Sequence, residues 1–95
     1  MYGIAFEWDP RKDSANRRKH GVGFAEAITV FDDPLSITIS DPEHAIGEER
    51  FVIVGMSRER SLLVVVHTIR GDRVRLISAR TATKHERRDH EETSI

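Results

Sequence analysis

The sequence predicts an α+β fold: two N-terminal helices, an antiparallel sheet of about four strands preceded by a short N-terminal strand, and a C-terminal helix. Three observations carry this expectation. Residues 9–21 have helix-start and helix-stop residues at their two ends. Residues 35–80 contain four apolar runs of strand length, and only Gly71 and Asp72 separate the last two, which leaves room for a hairpin turn and nothing larger. Splitting 95 residues would leave pieces too small to bury a core, so a single domain, 1–95, is expected.

Taken in order, "IAFEW" (4–8) suits a short strand. "DPRKDSANRRKHG" (9–21) is a bounded helix: Asp9 is a good N-cap, Pro10 loses nothing at the first helical position, Arg17, Arg18, Lys19 and His20 favour the C-terminal dipole, and Gly21 fits the left-handed cap. Phe24, Ala27, Ile28 and Phe31 form one apolar stripe at helical spacing, and Asp32, Asp33 and Pro34 end it. Strands are expected over 35–40, 50–57, 62–70 and 73–80, and a helix from Thr81 to about His90.

The hairpin fixes a register, and the register fixes faces. With Arg70 and Arg73 flanking the turn, Thr68 pairs with Arg75, Val66 with Ile77 and Val64 with Ala79. Arg70, Arg73, Thr68 and Arg75 then share one face. Leu63, Val65, Ile69, Val74 and Leu76 form the opposite, apolar face, together with His67 and Ser78. Arg80 stands five residues from Arg75, which places it on the other face unless the strand ends or bulges first. Arg80, Lys84, Arg87 and Arg88 recur at helical steps as a basic stripe, and Glu86 and His90 are i, i+4 neighbours, as are His85 and Asp89.

Charge is segregated although the formal net charge is only −1. Residues 24–49 hold seven acids and no Lys or Arg, whereas residues 50–90 hold ten bases against four acids. Twelve of the fifteen bases are arginine, whose planar fork suits phosphate. Three arginines on one open face repel one another unless an anion joins them. The competing reading is a solvated face neutralised by the acidic segment 41–49, Glu48 and Glu49 in particular. The basic half has one aromatic residue, Phe51, so the face suits phosphates better than stacked bases.

Several classes are excluded or disfavoured. There is no cysteine, hence no disulfide, thiolate metal site or thiol nucleophile, and five scattered histidines show no HxH or HExxH spacing, so no metal site is expected. The N-terminus lacks a signal-peptide layout, and the longest apolar run, Leu62 to Val66, falls far short of the roughly 20 residues that span a bilayer. A cytoplasmic protein without a membrane partner is expected.

Six blocks, "FEWDP" (6–10), "NRRKHGVGF" (16–24), "VFDDP" (30–34), "EERFVIVG" (48–55), "RGDRVRLISAR" (70–80) and "ATKHERR" (82–88), resemble in order the BrnT toxins of bacterial type II toxin–antitoxin systems. The resemblance implies a fold like the RelE/ParE toxins and an endoribonuclease that halts translation. It also implies a BrnA-like antitoxin with a ribbon–helix–helix domain, and through that antitoxin an indirect link to operator DNA. The family's recurring polar positions fall on Lys19, His20, Arg50, Arg70, Arg75, Arg80 and Glu86. One departure is His90, where the family pattern has an aromatic, often tyrosine.

Metal-independent RNA cleavage needs donors for the phosphoryl oxygens and a proton acceptor near the 2′-hydroxyl. The expected catalytic set is Arg70, Arg75 and Arg80 as phosphate clamp, Glu86 as proton acceptor and His67 or His90 in reserve. Arg50, Arg73, Lys84 and Arg87 are expected to bind flanking phosphates. No cofactor is implied. His20 suits a helix-terminal structural role better than catalysis, Trp8 and Asp9 suit packing and capping, and His44 carries no signal. The alternative is a non-catalytic protein whose basic face acts only through its antitoxin and operator complex.

Overall fold

The computed structural model describes residues 3–41 and 47–93, so His44 and Glu43 of the acidic loop lie outside the described residues. In chain order the elements are β1 (Ala5–Glu7), α1 (Pro10–His20), α2 (Phe24–Ala27), a 3₁₀ turn (Ile28–Asp32), β2 (Ile37–Ser40), β3 (Arg50–Met56), β4 (Leu62–Arg70), β5 (Arg73–Thr81) and α3 (Lys84–Thr93). The strands form one sheet in the order β1-β5-β4-β3-β2. Strands β2 to β5 pair antiparallel as expected. The short β1 joins the edge parallel to β5, with Phe6 opposite Val74 and Glu7 opposite Arg75, so the sheet is mixed.

One face of the sheet, the helical face, carries the core. Phe24, Ala27 and Val30 pack there on Ile53, Leu63, Val65, Val74, Leu76 and Ala79, with Phe6, Trp8 and Phe31 at the margin. The second helix is the element whose form differs from expectation. It makes one α turn and then tightens into the 3₁₀ turn. That changes the repeat from about 3.6 to about 3 residues, so Phe24, Ala27 and Val30 are buried in place of the α-helical stripe, and Ile28 and Phe31 are only half-buried. The tightening is fixed at both sides. Thr29 Oγ1 donates to the Glu26 carbonyl and accepts from Arg58 N–H, while Ser57 Oγ donates to Glu26 Oε2 at 2.7 Å.

Helix α1 is capped as its sequence requires. Asp9 Oδ1 accepts from Arg11 N–H at 2.8 Å, and Gly21, at φ +74°, donates to the Arg17 carbonyl. The helix has no large apolar side chain, and its only buried residue is Asn16. It docks through polar groups: Asp13 Oδ1 accepts from Phe24 N–H at 2.8 Å, capping α2, and the Asn16 amide reaches the Val22 carbonyl and both backbone groups of Ala79.

The hairpin turn is as expected: Arg70 pairs with Arg73, Gly71 has φ +60°, and Asp72 keeps an ordinary negative φ, the pattern of a type II′ turn. Beyond Leu76 the expected register fails. His67 pairs with Leu76, but Val66 pairs with Ser78 and Val64 with Arg80, so Ile77 is an extra, unpaired residue in β5. This β-bulge shifts every later side chain to the other face. Ser78 leaves the apolar side and Ala79 takes its place in the core. The final helix begins at Lys84 because Thr81 still pairs with Leu63, and Ala82 N–H donates to the Leu62 carbonyl. Arg80 therefore belongs to the sheet, and the basic stripe of α3 is Lys84, Arg87 and Arg88 alone, all exposed.

Candidate active site

The bulge decides the site. Arg75 stands opposite Thr68 and Arg80 opposite Val64, and Thr68 and Val64 share one face of β4, so Arg75 and Arg80 share the face away from the N-terminal helices. Arg70, Arg73 and Arg50, which pairs with Thr68, belong to that same open face. An open pocket of about 370 Å³ lies at the Arg80 end of that face, with a floor of Val52, Val64 and Val66 and a polar wall of Ser40, Asp41, Ser78, Arg80 and Glu86. Helix α3 borders it: Glu86, Asp89, His90 and Thr93 face Ile37, Ile39 and Val54 across an adjoining groove. Because α3 has no buried residue, its attachment depends on polar contacts.

Chief among these is Glu86. Its two carboxylate oxygens accept from the two terminal nitrogens of Arg80 at 2.7 and 2.8 Å, a bidentate pair. Thr83 N–H donates to Glu86 Oε1 at 2.9 Å and Glu86 N–H to Thr83 Oγ1 at 3.1 Å, a capping box that begins α3. The Arg80 guanidinium, with help from the Thr83 N–H and against partial desolvation, lowers the Glu86 pKa from 4.5 to about 2. Glu86 is thus an ionised but weakly basic carboxylate while Arg80 holds it.

The sign of the resulting pH dependence follows. A depressed carboxylate pKa adds stability that is complete above 4.5 and is lost as pH falls toward 2. The side chains are 40% and 31% exposed, so solvent screening leaves about 1–2 kcal/mol of the nominal gain. The Tm difference between wild type and Glu86→Gln is expected to be largest near neutrality and to shrink as pH is lowered from 5 to 2. A difference independent of pH would contradict the pairing.

The other arginines are also engaged. Glu7 of β1 lies between two of them, at 2.7 Å from Arg75 and 3.7 Å from Arg73, and Arg70 Nε is 3.4 Å from Glu48. Neutralisation by Glu48 matches the competing expectation for the acidic segment; Glu49 contributes its carbonyl, which accepts from Thr68 Oγ1. The Arg50 side chain is different: its Nε is buried without a hydrogen-bond partner among the described residues. Lys84 and Arg87 point outward from α3, and His85 forms an exposed pair with Asp89 at 3.3 Å.

His90 lines the α3 groove one turn beyond Glu86 and is half-buried. His67 is not brought to the arginines. It is 4% exposed on the helical face, edge-on to Phe31 at 4.9 Å and stacked on Phe51 at 5.7 Å, and burial lowers its pKa. A neutral imidazole held in the core cannot serve as reserve proton carrier on the opposite face. Lys19 and His20 end α1, which packs on that helical side. Glu7 and Asn16 were not singled out by sequence reasoning. A lone glutamate in a three-residue strand gives no sign of its partner, and Asn16 reads as an ordinary polar helical residue.

Comparison with known proteins bears on the family and the fold. The family model described as "Ribonuclease toxin, BrnT, of type II toxin-antitoxin system" matches residues 8–86. The crystal structure of the Brucella abortus ribonuclease toxin BrnT superposes with a TM-score of 0.61 at 21% identity, covering 85% of this chain and 97% of that one. At that identity the likeness speaks for the fold. Curated protein sequences yield no significant match. The family match spans both the capped α1 and the Arg80–Glu86 pair, and the chain belongs to the BrnT family of ribonuclease toxins of type II toxin–antitoxin systems.

Proposed function

We propose that this chain is a metal-independent endoribonuclease of RelE/ParE kind, one domain spanning 1–95, that inhibits translation in the cytoplasm and is neutralised by a BrnA-like ribbon–helix–helix antitoxin, through which it reaches operator DNA. The observation that carries the catalytic reading is the shared open face of Arg75 and Arg80 beside Glu86 and His90. In the reaction, the 2′-hydroxyl oxygen attacks the adjacent phosphorus and the P–O5′ bond breaks, leaving a 2′,3′-cyclic phosphate and a 5′-hydroxyl. Negative charge grows on the phosphoryl oxygens, where preplaced guanidinium groups stabilise the transition state more than the ground state.

Arg70, Arg75 and Arg80 form the clamp in this reading. A phosphate entering Arg80's fork displaces Glu86, and the freed carboxylate regains basicity toward 4.5. Glu86 then takes the 2′-hydroxyl proton, and His90 gives a proton to the leaving O5′. Arg50, Arg73, Lys84 and Arg87 hold flanking phosphates, Arg50 being the one whose Nε is already without a partner.

The test is purified protein against labelled single-stranded RNA and a DNA control in EDTA, with Arg75→Ala and Glu86→Ala alongside. RNA-only cleavage leaving cyclic phosphate, reduced about 10²-fold or more in both variants, is expected. Cleavage abolished by EDTA sinks the metal-independent mechanism. Binding without any cleavage leaves the non-catalytic reading, in which the basic face serves the antitoxin complex.

A further inference from the structure

The arginine face depends on an irregularity, and the irregularity has a clamp. In a regular strand, Arg75 and Arg80 would point to opposite faces because five residues separate them. The extra residue Ile77 brings them together. A bulge leaves the ladder locally open, and here β5 is open on its other side as well, since β1 pairs with it only at Arg73, Val74 and Arg75. The backbone from Ile77 onward therefore has no strand neighbour on its outer edge. Ala79, next to Arg80, is fully buried, so its outward N–H and C=O need partners.

Asn16 supplies both. Its Nδ2 donates to the Ala79 carbonyl at 2.7 Å and to the Val22 carbonyl at 2.8 Å, and its Oδ1 accepts from Ala79 N–H at 3.1 Å. The primary amide mimics one residue of a missing edge strand, and it is 8% exposed. All three of its bonds go to backbone, so it fixes where the chain runs and not merely what surrounds it.

We propose that Asn16 is a positioning residue for the ribonuclease reaction: by holding Ala79 it sets the bulged end of β5 so that Arg80 emerges on the same face as Arg75. This rests on the phosphate-clamp reading of those arginines. Displacements of about 1 Å in a catalytic group cost about 10²-fold in rate, so loss of the clamp acts on turnover more than on binding, which the remaining arginines sustain.

The experiment compares Asn16→Ala with Asp13→Ala. The latter loosens α1 by removing the α2 cap but leaves the Ala79 bonds in place. Both are assayed at a temperature where circular dichroism shows them folded. Two readouts are taken: kcat and KM for RNA cleavage, and the NMR titration of the Glu86 carboxylate, which reports Arg80's position without any activity. For Asn16→Ala we expect kcat to fall at least about tenfold with KM nearly unchanged, and the Glu86 pKa to rise from about 2 toward 4.5; Asp13→Ala should leave both near wild type. An Asn16→Ala protein that titrates like wild type, or an Asp13→Ala protein that shifts as much, overturns the proposal. If wild type cleaves no RNA, the nuclease reading fails separately, and the Glu86 titration still decides whether Asn16 positions Arg80.

Discussion

Arg80→Ala should reduce RNA cleavage by about 10²- to 10³-fold, the loss typical of one preorganised donor to a developing oxyanion. It should also release α3, and this double effect distinguishes Arg80 from Arg75. Helix α3 contributes no buried residue and is joined to the sheet by the bidentate pair at 2.7 and 2.8 Å. Without Arg80, Glu86 keeps only its capping bond to Thr83. Hydrogen exchange across residues 84–93 should then accelerate while exchange in β4 stays slow, because local opening follows local contacts. Arg80→Lys is the informative companion. It keeps the charge and loses the fork, so partial retention of α3 protection with most activity lost would assign the effect to bidentate geometry. Unchanged cleavage in Arg80→Ala would remove Arg80 from the clamp altogether.

Gly55→Ala should be the most destabilising glycine-to-alanine change among the described residues. A β-carbon at Gly55 would stand 2.8 Å from both Ser36 Cβ and Val30 Cγ1, and 3.2 Å from Asp33 Oδ2. None of these can retreat cheaply. Val30 is fully buried, and Asp33 Oδ2 accepts from Met56 N–H at 2.8 Å. The expected cost is about 2–3 kcal/mol, which for a domain of this size lowers Tm by about 10–15 °C. Gly23→Ala is the control, since its nearest neighbour at 3.1 Å is the flexible Arg17 side chain. Equal costs in thermal melts would refute the packing argument.

Short-range signals in the sequence were reliable, and long-range ones were not. Asp9, Pro10 and Gly21 act within one turn of themselves, and α1 begins and ends where they stand. Gly71 and Asp72 fix the pairing of Arg70 with Arg73 and of Thr68 with Arg75. Ile77 gives no such warning: an isoleucine in an apolar run reads as one more regular strand residue, so the expected pairing of Val66 with Ile77 and Val64 with Ala79 fails there, and the side of the sheet that Arg80 takes depends on a bulge the sequence does not announce. The bulge is evident only in the pairing of β4 with β5, and the contact beside it, Asn16 to Ala79, spans 63 residues of chain. Glu7 escaped for the same reason, as its partner Arg75 is 68 residues away and parallel edge pairing leaves no turn to read. Of the carboxylates that hold the arginines, Glu48 was legible from the charge segregation, whereas the pairing of Glu7 with Arg75 and of Glu86 with Arg80 was not.

Those carboxylates bear on how the face meets a polyanion. Binding of a free cationic side chain to phosphate expels condensed counterions into bulk solution, and the entropy gained makes affinity fall steeply with salt. Here Glu7, Glu48 and Glu86 already occupy Arg73, Arg75, Arg70 and Arg80. Each exchange of carboxylate for phosphate frees one cation from the nucleic acid and leaves a bare glutamate that attracts another. At these paired arginines the ionic account partly cancels, and the distant field of the face rests chiefly on the cations outside the pairs, Arg50, Lys84 and Arg87. The paired arginines therefore add discrimination at contact, by the fit of guanidinium forks to phosphate, more than attraction at a distance.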